Sequence, residues 1–184
     1  MRRRVVKLGG SLLQSEHLAE RFARWRADQP PAIDVVIAGG GGLADAVRQY
    51  AARFALSDEA AHWRCVECMA VTARIVAELL NASLVDSLDA VPAAGQPRLV
   101  VFDAARFLAT VEPSRVPALP RDWTVTSDSI AARVAEFLSA DLVLLKSAPR
   151  PLSTWEAAAA AGYVDAYFPR AVLRLEHVSA TCLP

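Results

Sequence analysis

The chain has 184 residues, 54% of them hydrophobic, and 20 basic and 20 acidic side chains give it a formal net charge of zero. This length favours one domain over residues 1–184, with a core that needs no disulfide or metal staples. Zero net charge argues against a nucleic-acid or membrane-surface binder, and no stretch approaches the ~20 apolar residues that span a bilayer.

The cysteine count and the apolar excess predict the setting of the protein. Three cysteines behind a start that lacks a secretory core favour a reduced, cytoplasmic protein. The hydrophobic fraction exceeds the ~45–50% usual for soluble domains. We therefore expect a homo-oligomer, a dimer or higher, in which a second subunit covers apolar surface.

The first half of the chain alternates apolar runs with helical patterns. Residues 5–8 and 33–38 are predicted to be buried strands, because each apolar run stops at glycines. Ser11 is expected to cap a helix that continues through Trp25, and a second helix follows the glycines 39–42. A third helix is predicted over residues 57–81, with a buried stripe that includes Val71, Ile75 and Leu79.

The second half repeats this alternation. Strands are predicted at 83–85, 98–102, 141–145 and 171–176, a loop at 112–120, a helix at 127–138, and a helix or turn at 157–162. Strands that alternate with helices predict an α/β fold, a three-layer αβα sandwich with a mainly parallel central sheet. Ligands in such folds bind at the carboxyl ends of the strands.

The first motif at a strand end is Lys7-Leu8-Gly9-Gly10-Ser11. Glycines let backbone N–H groups approach an anion closely, and a following helix N-terminus adds a favourable dipole. Lys7 adds a full positive charge. The pattern predicts a phosphate-binding loop, and the alternative is an ordinary strand–turn–helix junction with a surface lysine.

The second motif is the run Gly39-Gly40-Gly41-Gly42, followed by Asp45. Each glycine costs about 0.5–1 kcal/mol relative to alanine, and a simple turn does not need four of them. Close backbone approach to a phosphate explains the run, and a flexible loop is the alternative. The motif is not a P-loop, because no Gly-Lys-Ser/Thr follows it.

The third motif joins a helix start to the end of the next strand. Thr126-Ser127-Asp128-Ser129 reads structurally as an N-cap. Functionally, its hydroxyls and carboxylate can orient lysines or a metal-bound nucleotide. The strand at 141–145 then delivers Lys146 and Ser147 to the same edge, where a second lysine would serve phosphoryl transfer.

The spacing His62-x-x-Cys65-x-x-Cys68 is weighed as a metal site and set aside. It falls inside the predicted third helix, and no second group of ligands accompanies it. Packed cysteines are the simpler interpretation, so no protein-borne metal site is predicted.

Three segments in the right order resemble the amino-acid kinase superfamily, which includes acetylglutamate, aspartate, carbamate and uridylate kinases. They are VVKLGGSLL, VIAGGGGLAD and VTSDSIAARVAEFLSADLVLLKS, and the resemblance covers about residues 4–148. Within the superfamily, LPRDWTVTSDSIAARVA and GYVDAYFP are similar to the small (5-(aminomethyl)furan-3-yl)methyl phosphate kinase branch. That branch is linked to methanofuran and tetrahydromethanopterin C1 metabolism.

The resemblance implies an ATP-dependent kinase that uses Mg²⁺ and a small anionic acceptor, a phosphate or a carboxylate. It implies that Lys7 and Asp128 are catalytic. Lys146 is predicted to be the second catalytic lysine, in place of the family's later lysine. The remaining implied roles are phosphate binding by Gly9, Gly10, Ser11, Gly39, Gly40, Gly41 and Gly42, nucleotide binding by Thr126, Ser127 and Ser147, and acceptor binding by Asp45 and His62.

Two departures from the family pattern leave alternatives open. The chain reads Lys146-Ser147-Ala148-Pro149 where members often have a Thr-Asp-x-x-Gly turn, and it lacks a later Gly-Gly-Met segment with an ATP-clasping lysine. The nucleotide half is therefore predicted to be short. A non-catalytic binding or scaffold protein is the second hypothesis, and a kinase of an amino acid or nucleoside monophosphate is the third.

Overall fold

A computed structural model describes residues 2–93, 95–150 and 154–183 of the chain. One sheet of six strands, all parallel, runs through the described residues in the order β3-β4-β2-β1-β5-β6. The predicted α/β fold with a parallel central sheet is confirmed. The strands are β1 (Arg3–Leu8), β2 (Ile33–Ala38), β3 (Ser83–Val85), β4 (Arg98–Phe102), β5 (Asp141–Lys146) and β6 (Val178–Cys182).

Helices connect the strands and cover both faces of the sheet. They are α1 (Leu18–Ala27), α2 (Gly41–Phe54), α3 (Asp58–Leu79), α4 (Ala104–Thr110), α5 (Ser127–Leu138), α6 (Trp155–Ala160) and α7 (Phe168–Ala171), with 3-10 turns at Gly10–Gln14, Leu88–Ala90 and Glu112–Ser114. Among the described residues, no helix combines the length and the apolar character that crossing a membrane requires.

Two hydrophobic clusters sandwich the sheet. Every residue of β2 and five of the six residues of β1 are buried, as expected for central parallel strands covered on both sides. One cluster joins alternate residues of these strands to α4, α5 and α7, and the other joins the remaining residues to α1. Helix α3 contributes to both clusters, with Met69 in the first and Val76 in the second.

The C-terminal strand and the start of α1 differ from the prediction. The predicted strand at 171–176 is wrong: Pro169 lies in the first turn of α7, and β6 begins only at Val178. The predicted cap at Ser11 is also wrong, because Ser11 lies in a 3-10 turn and α1 begins at Leu18 without a side-chain cap. The sequence prediction did not include α4.

The predicted apolar stripe on α3 is real but faces solvent. Val71, Ile75 and Leu79 are 43%, 52% and 43% exposed, while the small residues Ala73 and Ala77 face the core. Helical periodicity identifies a face of a helix but not what covers it, and alanines allow α3 to pack closely against the sheet.

Candidate active site

The candidate site lies at the carboxyl edge of the sheet, where the chain changes direction. Strands β2, β4 and β3 lie on one side of β1, and β5 and β6 lie on its other side, so the strand order reverses at β1. Parallel sheets bind ligands at such switch points. Lys7 is near the end of β1 and Lys146 is the last residue of β5, so the two strands that flank the switch point each present a lysine.

Both lysines contact the same buried carboxylate. Lys7 Nζ lies 2.7 Å from Asp128 Oδ1, and Lys146 Nζ donates to Asp128 Oδ2 at 2.8 Å. The side chains of Lys7 and Asp128 are only 5% and 6% exposed. The chain has two lysines and eighteen arginines, and both lysines lie in this cluster.

The charges in the cluster shift the pKa values of Asp128 and Lys146. Burial would raise the pKa of Asp128, but the ammonium groups of Lys7 and Lys146 outweigh it and hold the pKa below its usual value. Burial, reinforced by the charge of Lys7, lowers the pKa of Lys146. In the direct contacts two cations share one anion, an arrangement that favours a further negative group such as a phosphate.

The two glycine loops pack against each other beside this cluster. A Cβ on Gly10 would lie 2.6 Å from the backbone nitrogen of Gly41, and a Cβ on Gly39 would lie 2.9 Å from the nitrogen of Gly10. Gly41 has a positive φ of 53°, which side chains disfavour. Close loop-to-loop contact therefore requires glycine at these positions, whereas a Cβ on Gly42 would meet nothing within 4 Å.

Four backbone N–H groups of the loops divide into two sets. Gly9 donates to the carbonyl of Leu145 and Gly39 donates to that of Leu8, each at 2.9 Å, so these two N–H groups extend the sheet. Gly41 and Gly42 begin α2, and N–H groups in the first turn of a helix lack intrahelical acceptors. The start of α2, rather than Gly9 or Gly39, thus has backbone donors for an anion.

The hydroxyls predicted to bind phosphate or nucleotide fall at the same edge. Ser11 Oγ and Ser147 Oγ are 2.9 Å apart and bridge the loops that follow β1 and β5. Ser127 Oγ is 3.1 Å from where a Cβ on Gly39 would sit. The structure therefore brings these three serines to the loops around Lys7 and Lys146.

The turn from Tyr163 to Asp165 completes the site and was not predicted. The carbonyl of Tyr163 accepts from Lys146 Nζ at 2.7 Å, and the lysine lies 5.1 Å from the centre of the tyrosine ring. Asp165, 8% exposed, accepts hydrogen bonds from both the N–H and the hydroxyl of Thr126 and of Ser129. The available signal was an aspartate inside the otherwise apolar segment GYVDAYFP.

A small cavity adjoins the start of α2. Its volume is about 50 Å³, and it is lined in part by Gly40, Arg48, His62, Trp123 and Thr126. Burial lowers the pKa of His62, which favours a neutral imidazole. Small-molecule pockets typically measure ~300–1,000 Å³, so a ligand here requires these walls to move apart.

Asp45 is not part of this cavity lining. Its side chain is 62% exposed and pairs with Arg48 at 2.6 Å. Cys65 does line the cavity, and burial raises the pKa of both Cys65 and Cys68. In the part of the chain that the structure describes, no group of three or more His, Cys, Asp or Glu residues is placed to hold a metal ion.

Comparisons with known proteins agree with this architecture. A curated relative, the [5-(aminomethyl)furan-3-yl]methyl phosphate kinase of Methanocaldococcus jannaschii, is 23% identical over 143 residues, which are 77% of this chain and 63% of the relative. The chain thus spans less than two thirds of that relative's length.

Solved structures of two uridylate kinases show the same fold. That of Archaeoglobus fulgidus matches with a TM-score of 0.60 and 16% identity over 97% of this chain and 89% of its own. The UMP kinase of Bacillus anthracis matches with a TM-score of 0.63 and 11% identity over 99% and 87%. Residues 2–149 match the family described as the amino acid kinase family, and the chain belongs to that family.

Proposed function

We propose that this protein is an ATP-dependent phosphotransferase for a small anionic acceptor. The observation that carries the proposal is the pair of lysines on the two oxygens of Asp128, at the switch point and beside the glycine loops. Family membership supports the use of ATP. ATP would bring Mg²⁺ with it, as nucleotide sites commonly hold that ion through phosphates and water.

Each member of the cluster has a role in the proposed transfer. An oxygen of the acceptor forms a bond to the γ-phosphorus of ATP while the bond from that phosphorus to the ADP oxygen breaks. Lys7 and Lys146 stabilise the negative charge on the transferring group, and Asp128 holds the two ammonium groups in place. The N–H groups at the start of α2 donate to phosphate oxygens.

The donor arrangement fits a polyphosphate. Ser11, Ser147 and Ser127 supply hydroxyls around the lysines, and the start of α2 adds backbone N–H donors. In this proposal Thr126, Ser127 and Ser147 face the nucleotide, and His62 lies on the acceptor side in the small cavity.

For the acceptor we propose a furanmethyl phosphate of C1-cofactor biosynthesis. Two features support it: the similarity to the curated furanmethyl phosphate kinase, and a cavity that combines an aromatic wall, Trp123, with a cation, Arg48, 5.6 Å from the centre of that ring. A planar ring that carries an anion suits such a wall. Amino acids and nucleoside monophosphates are the competing acceptors. The reaction belongs in the cytoplasm, with no nucleic-acid or membrane partner.

The alternative is a protein that kept the fold and binds an anion without transferring a phosphoryl group. The small size of the cavity favours it, as does the Lys146-Ser147-Ala148-Pro149 sequence in place of the family's usual turn.

Turnover of ATP decides between the two functions. Purified protein would be incubated with ATP, Mg²⁺ and a panel of acceptors that includes the furanmethyl phosphate, amino acids and nucleoside monophosphates, and ADP would be measured. We expect ADP with one acceptor class and a roughly 10²–10³-fold lower kcat in Lys7→Met.

Arg4→Met is the matched control for that experiment. Arg4 lies on the same strand, is 7% exposed and pairs with buried Asp34 at 2.6 Å, but at the opposite edge of the sheet. It should lower stability and leave kcat of the folded protein close to wild type. No ADP with any acceptor, together with ATP binding unaffected by Lys7→Met, would favour the non-catalytic function.

We also propose that α3 joins two copies of the chain. Its exposed apolar stripe is flanked by Arg64 and Glu78, seven residues to either side of Val71. Two antiparallel α3 helices that cross at Val71 would oppose Arg64 of one copy to Glu78 of the other. Ile75→Arg should then shift sedimentation from dimer to monomer, and an unchanged sedimentation coefficient contradicts the proposal.

A further inference from the structure

The N-terminus of α5 is capped by a residue from a distant part of the chain. Thr126 stands at the N-cap position, but its own side chain makes no cap hydrogen bond to the helix. Instead, Asp165 Oδ2 accepts from the backbone N–H of Thr126 at 2.8 Å and of Ser129 at 3.0 Å. A carboxylate at this end of a helix also interacts favourably with the helix dipole.

These hydrogen bonds enclose the residue that holds both lysines. Asp128 lies between Thr126 and Ser129 in the first turn of α5, and both neighbours are tied to Asp165 through backbone and hydroxyl groups. The position of the Asp128 carboxylate therefore depends on how Asp165 holds this turn.

The same short segment also holds one of the lysines. Tyr163, two residues before Asp165, accepts from Lys146 Nζ through its carbonyl, and its hydroxyl donates to the carbonyl of Ala148 at 3.3 Å. Residues 163–165 thus contact Lys146 directly and hold the helix turn that carries Asp128. A displacement of this turn changes the geometry between the lysine and the carboxylate, not only the stability of α5.

We propose that Asp165 is a positioning residue that sets Asp128 between Lys7 and Lys146 for phosphoryl transfer. This inference rests on the proposed function for its catalytic consequence. Its structural part concerns only the arrangement of the two lysines around Asp128. A side chain that acts only as a helix cap would stabilise α5 without controlling that arrangement.

The lysine content of the chain allows a test that does not need activity. Incorporation of ¹³C-lysine labels only Lys7 and Lys146, so two Cε signals report the site directly and can be followed over pH. Asp165→Ala should shift both signals and lower the pKa of Lys146 below its wild-type value, because Asp165 and a well-placed Asp128 both favour the charged lysine.

Activity provides a second measurement. If the protein turns over ATP, Asp165→Ala should reduce kcat roughly 10²-fold with KM for ATP little changed, as expected when catalytic groups are misplaced. Asp165→Asn keeps the shape and can accept through its one oxygen, so it should restore part of this loss. It also serves if the alanine variant does not fold.

Asp103→Ala is the matched control. Asp103 is 9% exposed and caps α4 by accepting from Ala105 N at 3.0 Å, but it does not contact the lysines. It should lower the melting temperature and leave both lysine signals unchanged. Loss of the Asp165 charge acts directly on Lys146, so the deciding signal is that of Lys7, which contacts Asp128. A Lys7 signal that superimposes on wild type in both Asp165 variants would overturn the proposal and leave Asp165 as a cap. If wild type shows no turnover, the proposed kinase function fails while the lysine titration still judges Asp165.

Discussion

Asp128→Asn tests whether one carboxylate holds together two cations, of which Lys7 is buried and Lys146 is partly buried. Each carboxylate oxygen faces one ammonium group, at 2.7 and 2.8 Å, and the side chain is 6% exposed. The substitution keeps the shape but removes the charge, and it points an amide donor at one of the ammonium groups. Lys7, which is buried, and Lys146, which is partly buried, then lose their common counter-ion.

The expected loss of stability is large. Removing one partner of a buried ion pair typically costs about 3–5 kcal/mol. In a domain of 150–250 residues, each 1 kcal/mol lowers the melting temperature by about 2–4 °C, so a fall of roughly 6–20 °C is expected. The exposed pair of Asp45 with Arg48 provides the control, because Asp45→Asn should cost less than about 1 kcal/mol.

Thermal unfolding with and without a multivalent anion is the assay. Pyrophosphate supplies the missing negative charge, so it should raise the melting temperature of Asp128→Asn more than that of wild type. If Asp128→Asn melts within about 2 °C of wild type, and pyrophosphate stabilises both proteins equally, the lysines do not depend on this carboxylate and the reasoning is refuted.

The remaining predictions concern the glycine loops and pH. Gly10→Ala should destabilise the protein by about 1–3 kcal/mol, because its Cβ would lie 2.6 Å from Gly41 N. Gly42→Ala, whose Cβ would meet nothing within 4 Å, should stabilise α2 by up to about 1 kcal/mol. Chemical denaturation measures both changes, and equal effects contradict the described loop contact. Burial, with the charge of Asp128 adding to it, raises the pKa of Asp165 above that in the unfolded chain, although hydrogen bonds from Ser129 oppose the rise. Wild type therefore loses stability as pH rises from the unfolded pKa of Asp165 through its folded pKa, and Asp165→Asn should gain stability relative to wild type as pH rises from below about 4 towards 7. A melting-temperature difference that is constant over this range, or that changes in the opposite direction, contradicts that sign.

The sheet and its edge were predictable because their signals are local. Apolar runs that end in glycine, such as 33–38 before Gly39, identify a buried strand and the loop after it. The α5 prediction over residues 127–138 matches Ser127–Leu138, because the polar residues at its start signal a helix N-terminus before an apolar helical pattern.

What the sequence did not reveal depends on contacts between distant residues. Nothing near Thr126 indicates that its helix is capped by Asp165, 39 residues further along the chain. The stripe at Val71 and Ile75 was assigned to the core because the pattern gives a face but not its neighbour. The glycine run predicted close backbone approach to a phosphate, but it did not reveal that Gly39 donates to Leu8 or that the two loops fill each other's space.

Because both lysines lie in one cluster with Asp128, the protein has few sites for amine-reactive labelling and coupling. Succinimidyl esters, isothiocyanates and the cyanate that accumulates in urea all attack amines, and here the side-chain amines are Lys7 and Lys146 alone. Amine coupling to a sensor surface would therefore attach the folded protein mainly through its α-amino group. Any of these reagents that reaches a lysine removes a charge from the Asp128 cluster, so a dye-to-protein ratio also measures how open the site is.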